Sequence, residues 1–199
     1  MKWMIIRHGA TAGNARKQYI GTTDQPLTEH GIRELREKKD GGSYREAEKE
    51  LEKRARLFVS PLLRCRQTAE LIFPGLTYTV IDELREVDFG EFEGKSYDEL
   101  NGNKDYQAWI DSDGKLPFPG GESRESFGLR VLRGVDRIRE ILENDRKSGE
   151  AGAPSDGEQT VVIVAHGGTI MAMNQIFQNG NFFDGLTENG CMQVFTDRN

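Results

Sequence analysis

Cysteine is nearly absent from this chain. Its 199 residues hold only Cys65 and Cys191, too few for a disulfide scaffold. Histidine is almost as scarce, 3 in all, and neither His8 nor His166 has a carboxylate or cysteine partner at ligand spacing, so no metal site is expected. Nowhere do roughly 18 apolar residues run together, as a membrane span would need. The apolar run at residues 3–6 stops at Arg7, without the long stretch or cleavage pattern of a secretory signal. A basic excess is lacking too: the net charge of -6 argues against a nucleic-acid binder. It does not argue against a phosphorylated small molecule, because a few arginines in one cleft outweigh the average charge locally. These absences lead to the expectation of a cytoplasmic protein with no cofactor and no nucleic-acid or membrane partner. They say nothing of its oligomeric state.

What is present is ordinary globular composition, 36% hydrophobic and 30% charged, over a length suited to a single domain spanning 1–199. Residues 3–6, 57–60 and 161–165 are apolar at nearly every position, as central parallel strands buried on both faces require; 78–81 and 192–196 are further strand candidates. Helices are expected from the Thr28 cap to Asp40, from a capping box at Ser43 and Glu46 to Ala55, and over 62–72, 124–146 and 168–178. Phe127, Val131, Val135, Ile138 and Leu142 follow helical spacing. The Gly-, Pro- and Ser-rich stretch 148–159 reads as an exposed loop, and 83–123, poor in periodicity, as a cover of loops and short helices. Strands alternating with helices make an α/β fold, a three-layer sandwich with a mostly parallel central sheet flanked by helices.

In such sheets ligands bind beyond the carboxyl ends of the strands. Arg7 and His8 follow the first strand, Ser60 to Arg64 the second, and His166 another, so three polar segments converge on one edge. Gly9 permits close backbone approach, Thr11 and Asn14 add polar groups suited to phosphate oxygens, and His166-Gly167-Gly168 opens a helix whose N–H groups favour an anion.

Six segments carry a resemblance. They are Arg7-His8-Gly9-Ala10-Thr11 with Asn14; Gly21 to Asp24 and Pro26-Leu27-Thr28 with Gly31; Ser60-Pro61-Leu62-Leu63-Arg64 with Gln67-Thr68-Ala69; Leu84-Arg85-Glu86 to Gly90, with Glu93-Gly94; Pro119-Gly120-Gly121-Glu122-Ser123; and Ala165-His166-Gly167-Gly168. In this order, across nearly the whole chain, they resemble the histidine phosphatase superfamily, whose fold is phosphoglycerate mutase-like. The resemblance implies a phosphoric monoester hydrolase acting in two steps. His8 would carry a phosphohistidine that water hydrolyses; Arg7, Arg64 and His166 would hold the phosphoryl oxygens; Glu86 would protonate the leaving oxygen; and Asn14, Gly21 and Gly167 would contact phosphate or substrate.

The physical demand is large, since phosphate monoester hydrolysis needs up to about 10²¹-fold acceleration. Positioning and charge stabilisation on the equatorial oxygens supply most of it. At about 3–4 kcal/mol per donor, three cationic or N–H donors would contribute around ten. Two arginines suit this because their planar forks bind phosphate bidentately. Glu86 has a difficulty: protonating an ordinary Glu of pKa about 4.3 at pH 7 costs about 3.7 kcal/mol. A phosphate dianion beside it would raise that pKa by like-charge repulsion.

Other signals fail on spacing. Gly90 to Ser96 imitates a P-loop but is one residue short between its glycines and puts Glu91 and Glu93 where phosphate would sit. Cys65 lacks the arginine a cysteine-dependent phosphatase needs six residues on, where Leu71 stands, and reads as a packing residue; His30 reads as exposed. Residues 95–118 offer only Lys95, Lys104 and Lys115 for a second phosphate, and the chain ends at Asn199 soon after the last expected strand, so hydrolysis is favoured over mutase transfer. The run Asp88 to Gly94 resembles α-ribazole phosphatases. An α-ribazole-5'-phosphate phosphatase, a broad sugar or glycolytic phosphate phosphatase, a phosphoglycerate mutase and a silent phospho-ligand binder are the alternatives. Within the cover, Tyr97, Tyr106, Trp109 and Phe118 could stack on a substrate ring or pack inward.

Overall fold

A computed structural model describes residues 1–53, 55–148, 159–178 and 181–197. In chain order it contains β1 (Lys2–Arg7), α1 (Ala12–Ala15), α2 (Glu29–Asp40), α3 (Arg45–Glu52), β2 (Arg56–Val59), α4 (Leu63–Ile72), β3 (Thr79–Val80), α5 (Tyr97–Leu100), α6 (Lys104–Asp111), α7 (Arg124–Ser148), β4 (Thr160–Ala165), α8 (Gly167–Gln178) and β5 (Met192–Thr196). Among these described residues no helix is long and apolar enough to cross a membrane.

The all-apolar strands sit where burial on both faces was expected. The sheet order is β3-β2-β4-β1-β5, with β5 alone antiparallel, and all six residues of the central β4 are buried. Side chains alternate across the sheet. Trp3, Ile5, Phe58, Val161 and Ile163 face one core, where α7 and α8 supply Phe127, Val131, Val135, Ile138 and Phe177. Met4, Ile6, Leu57, Val59 and Val162 face the other, against Leu35 of α2, Ala47 of α3 and Cys65 and Ile72 of α4. This is the three-layer α/β sandwich. Each such side chain, fully buried, is worth about 1.5–3 kcal/mol, so the apolar stripe of α7 alone fixes that helix to the sheet.

Register places the site. Arg7 lies level with Ala165, and Val59 with Val164, so β1, β2 and β4 end together. Three expectations shift. The capping box at Ser43 does not form: Tyr44 occupies the cap position without a side-chain bond, because Gly42 (φ 81°) turns the chain and the Ser43 N–H donates back to Lys38 O. α3 ends at Glu52, and β3 spans only Thr79–Val80. The expected loop over 148–159 lies outside the described residues for 149–158.

Candidate active site

His8 follows β1 directly and is held by its backbone. Its N–H donates to Ala165 O, and its carbonyl accepts from the Asn189 side chain at 3.0 Å. Nδ1 lies 2.7 Å from Gly9 O, and a carbonyl can only accept, so Nδ1 carries the ring proton and Nε2 keeps its lone pair. Burial, reinforced by Arg64 and Arg7, holds the ring's pKa well below the usual histidine value despite the Gly9 bond. A neutral, oriented imidazole results. A Cβ at Gly9 would lie 2.6 Å from Leu35 Cδ1, so a larger residue there would displace that buried side chain.

Arg64 enters on the first turn of α4 and is fully buried. Its Nε donates to His166 Nδ1 at 3.3 Å, Nη1 to Thr23 O and Nη2 to Gly21 O, both at 2.9 Å. A guanidinium only donates, so His166 must carry its proton on Nε2, which faces Ser60 Oγ at 2.7 Å. The two histidine rings stand 5.2 Å apart. Burial, then Arg64 and His8, holds His166 neutral as well. Both its ring nitrogens are thus engaged by the protein: it is at the site, where it orients Arg64, without a free N–H for a phosphoryl oxygen. Arg7 is half-buried beside Gly167; one Nη donates to Thr187 O, and its Nε is buried without a hydrogen-bond partner.

The Glu86 carboxylate accepts from the N–H groups of Val87 at 3.0 Å and Gly168 at 3.1 Å. Burial raises its pKa, against those bonds and the pull of Arg64 and Arg7. A buried carboxyl in this position is part-way to being an acid before substrate arrives.

Glu86 owes its place to Arg130 on α7, a residue the sequence reading passed over. Arg130 donates to the carbonyls of Glu83, Arg85 and Glu86, while its Nε and Nη2 bind Glu122 at 2.8 and 2.6 Å. The signal was available: position 130 falls on the buried stripe of α7 beside Phe127 and Val131, where an unpaired charge would be costly.

These pieces match a described family. The histidine phosphatase superfamily (branch 1) matches over residues 3–183. The chain belongs to that superfamily. It is 29% identical over 181 residues to sedoheptulose 1,7-bisphosphatase of Saccharomyces cerevisiae (82% of this chain, 62% of that protein), so it spans less than two thirds of the yeast relative. It is 31% identical over 185 residues to the 2,3-bisphosphoglycerate-dependent phosphoglycerate mutase of Rhizobium etli (86% and 78%). The crystal structure of the α-ribazole phosphatase from Shigella flexneri has the same fold, with a TM-score of 0.71 at 24% identity over 98% of this chain and 89% of that one.

Within this member of the histidine phosphatase superfamily some side chains expected at substrate are engaged by the protein. Thr11 is fully buried and caps α1: its side chain accepts from the Asn14 N–H and donates to Asn14 Oδ1, so it shapes the loop rather than reaching substrate. The same Asn14 oxygen accepts from Asn189. The Gly21 N–H is taken by Glu93, whose carboxylate also accepts from Thr23 N–H. Gly21 is needed for close approach instead, since a Cβ there would lie 1.9 Å from Val87 O. Tyr97 is exposed, and Tyr106 is buried with its hydroxyl 2.7 Å from that of Tyr19.

Two cavities flank Glu86. One, of about 220 Å³, is polar, with Arg85, Asp88, Glu122 and Arg130 in its wall. The other, of about 270 Å³, also touches Arg7, Gly167 and Gly168 and is walled mainly by aromatics, Trp109 and Phe118 among them.

Proposed function

We propose that the chain is a phosphomonoesterase that passes the phosphoryl group through His8, without a metal. His8 Nε2 attacks phosphorus; the bond to the leaving oxygen breaks, and that oxygen takes the proton of Glu86. Water then attacks the phosphohistidine, giving a proton to Glu86 as the P–N bond breaks and the electron pair returns to Nε2. The observation that carries this is the His8 Nδ1–H bond to Gly9 O, which leaves the lone pair on Nε2 of a ring kept neutral by burial and by Arg64 and Arg7. Arg7, with its unpartnered buried Nε, and Arg64 would receive the phosphoryl oxygens, joined by the backbone N–H of Gly167 at the start of α8. His166 would act mainly by holding Arg64. Residues 83–123 would serve as a cover within a single domain, since Glu86, Trp109 and Phe118 all come from that stretch.

The test is phosphate release from p-nitrophenyl phosphate with EDTA present, together with the mass of the His8 peptide after acid-free quenching. Wild type should turn over and gain one phosphoryl group on that peptide; His8→Ala should lose about 10⁴-fold or more. Turnover by His8→Ala at the wild-type rate overturns the proposal. A panel of α-ribazole 5'-phosphate, sedoheptulose 1,7-bisphosphate and 3-phosphoglycerate ranks the substrates its relatives suggest.

A further inference from the structure

The aromatic cavity sits where a leaving group must go. It shares Glu86, Arg7 and Gly167 with the phosphate site, so an ester oxygen beside the Glu86 carboxyl would point its substituent into it. The walls are already assembled. Trp109 stacks on Phe118 at 5.0 Å, Phe118 meets Phe89 edge-on at 5.1 Å, and Phe89 meets Tyr19 at 5.1 Å. Arg124, also in the wall, lies 4.7 Å over the ring of Phe182. Tyr19, Phe89, Trp109 and Phe118 come from three separate segments yet contact one another, so they form the surface without a ligand to gather them.

Trp109 lines the cavity half-buried, whereas Tyr106 and Phe92, at 4% and 1% exposure, are packed away and absent from its wall. Against a second phosphate or carboxylate, the cavity offers one cation beyond Arg7: Arg124, already stacked on a ring. The polar cavity on the other side of Glu86 sets Asp88 and Glu122 against Arg85 and Arg130, with Glu122 and Arg130 already paired to each other.

Resting on the phosphatase reading above, we propose that the preferred substrates are monophosphate esters whose leaving group carries a flat, uncharged ring, bound against Trp109 and Phe118. Polyhydroxyl chains and second phosphates are disfavoured.

The experiment compares phosphate esters of primary alcohols, so that the intrinsic lability of the bond stays nearly constant. The probes are 2-(2-naphthyl)ethyl phosphate, 2-(quinolin-6-yl)ethyl phosphate, ethyl phosphate and fructose 1,6-bisphosphate. Ring esters should exceed ethyl phosphate in kcat/KM by about 10- to 100-fold, through KM, given the apolar area they bury. The quinoline and naphthalene esters should lie within a few-fold of each other, since they bury similar apolar area. Trp109→Ala should collapse both ratios toward one; ratios are unaffected by the fraction of protein that folds. Phe183→Ala, at an exposed position on the rim, should lower the ring-to-ethyl ratio less. Equal kcat/KM for ring and ethyl esters overturns the inference, as does a preference for the bisphosphate that Arg124→Ala removes; in both cases phosphatase action itself still stands. No hydrolysis of any ester overturns the phosphatase reading along with it.

Discussion

Replacing Glu86 with glutamine keeps the side chain's outline while removing the proton that the leaving oxygen needs. The carboxylate is fixed by two N–H donors, from Val87 and Gly168, and buried enough that its pKa rises above the ordinary 4.5 even with Arg64 and Arg7 near. General acid catalysis contributes about 10²–10⁴-fold, or about 2.7–5.4 kcal/mol of barrier. That contribution matters only where the leaving oxygen is a poor anion. On an alkyl phosphate, Glu86→Gln should therefore lose kcat by about 10²–10⁴-fold. On p-nitrophenyl phosphate, whose oxygen leaves as a stable anion, the first step should be nearly untouched, which a burst of p-nitrophenol in stopped flow would show. The pH profile carries the sign. Attack on an alkyl ester needs His8 neutral and Glu86 protonated, so wild-type kcat should fall as pH rises through the raised pKa of Glu86. The glutamine variant has nothing to titrate there, and its profile should lack that limb. Equal losses on the two esters in the first step, measured before the shared hydrolysis of the phosphohistidine, or an unchanged alkaline limb in Glu86→Gln, would refute the acid role.

His8 and His166 are both held neutral by burial, with pKa values well below the unfolded 6.5, so the unfolded chain binds up to two more protons below that pH. Their contribution to stability is complete above pH 6.5 and lost as pH falls toward the folded values, at up to about 2.7 kcal/mol per pH unit for two protons; chemical denaturation at pH 7 and 5.5 should show it, and His8→Gln should halve the slope. In Gly168→Ala the added Cβ would lie 2.2 Å from Glu86 Oε1, so alkyl phosphate turnover should fall far more than p-nitrophenyl phosphate turnover, with a stability loss of about 1–3 kcal/mol by thermal melt. Glu93→Ala strips the N–H groups of Gly21 and Thr23 of their acceptor and loosens two of the carbonyls that hold Arg64. The inhibition constant for inorganic phosphate should rise, and stability should drop by about 1–3 kcal/mol. Arg130→Met should cost about 3–5 kcal/mol by leaving Glu122 unpaired, and Glu122→Gln in the same chain should recover part of it in urea melts.

The layers of the fold were legible because burial on both faces leaves a plain mark: 3–6, 57–60 and 161–165 became β1, β2 and β4 within one or two residues. The orientation of β5 and the start of α3 were not. Antiparallel pairing of an edge strand depends on how the preceding chain returns, which its own residues do not encode. At Ser43 the local capping pattern lost to the turn that Gly41 and Gly42 impose after α2.

The candidate site divides along the same line between local and relational information. That His8, Arg64, Glu86 and His166 would meet followed from strand ends and motif order, since each is fixed by the element beside it. Which of their donors remain free did not follow, because that depends on partners far away in sequence: Glu93 reaches back 72 residues to Gly21, and Arg64 reaches 102 forward to His166. The Gly21 N–H is engaged by Glu93, and the His166 ring nitrogens by Ser60 and Arg64, so in the proposed mechanism these residues shape the groups that contact the substrate. The burden of charge stabilisation then falls on fewer groups. Arg7 is the member of the clamp with a buried donor still unmatched. Arg64, locked by carbonyls and an imidazole, contributes its fixed position more than its reach. With the clamp fixed in this way, the proposed selectivity between esters rests on the aromatic wall beyond Glu86 rather than on the clamp itself.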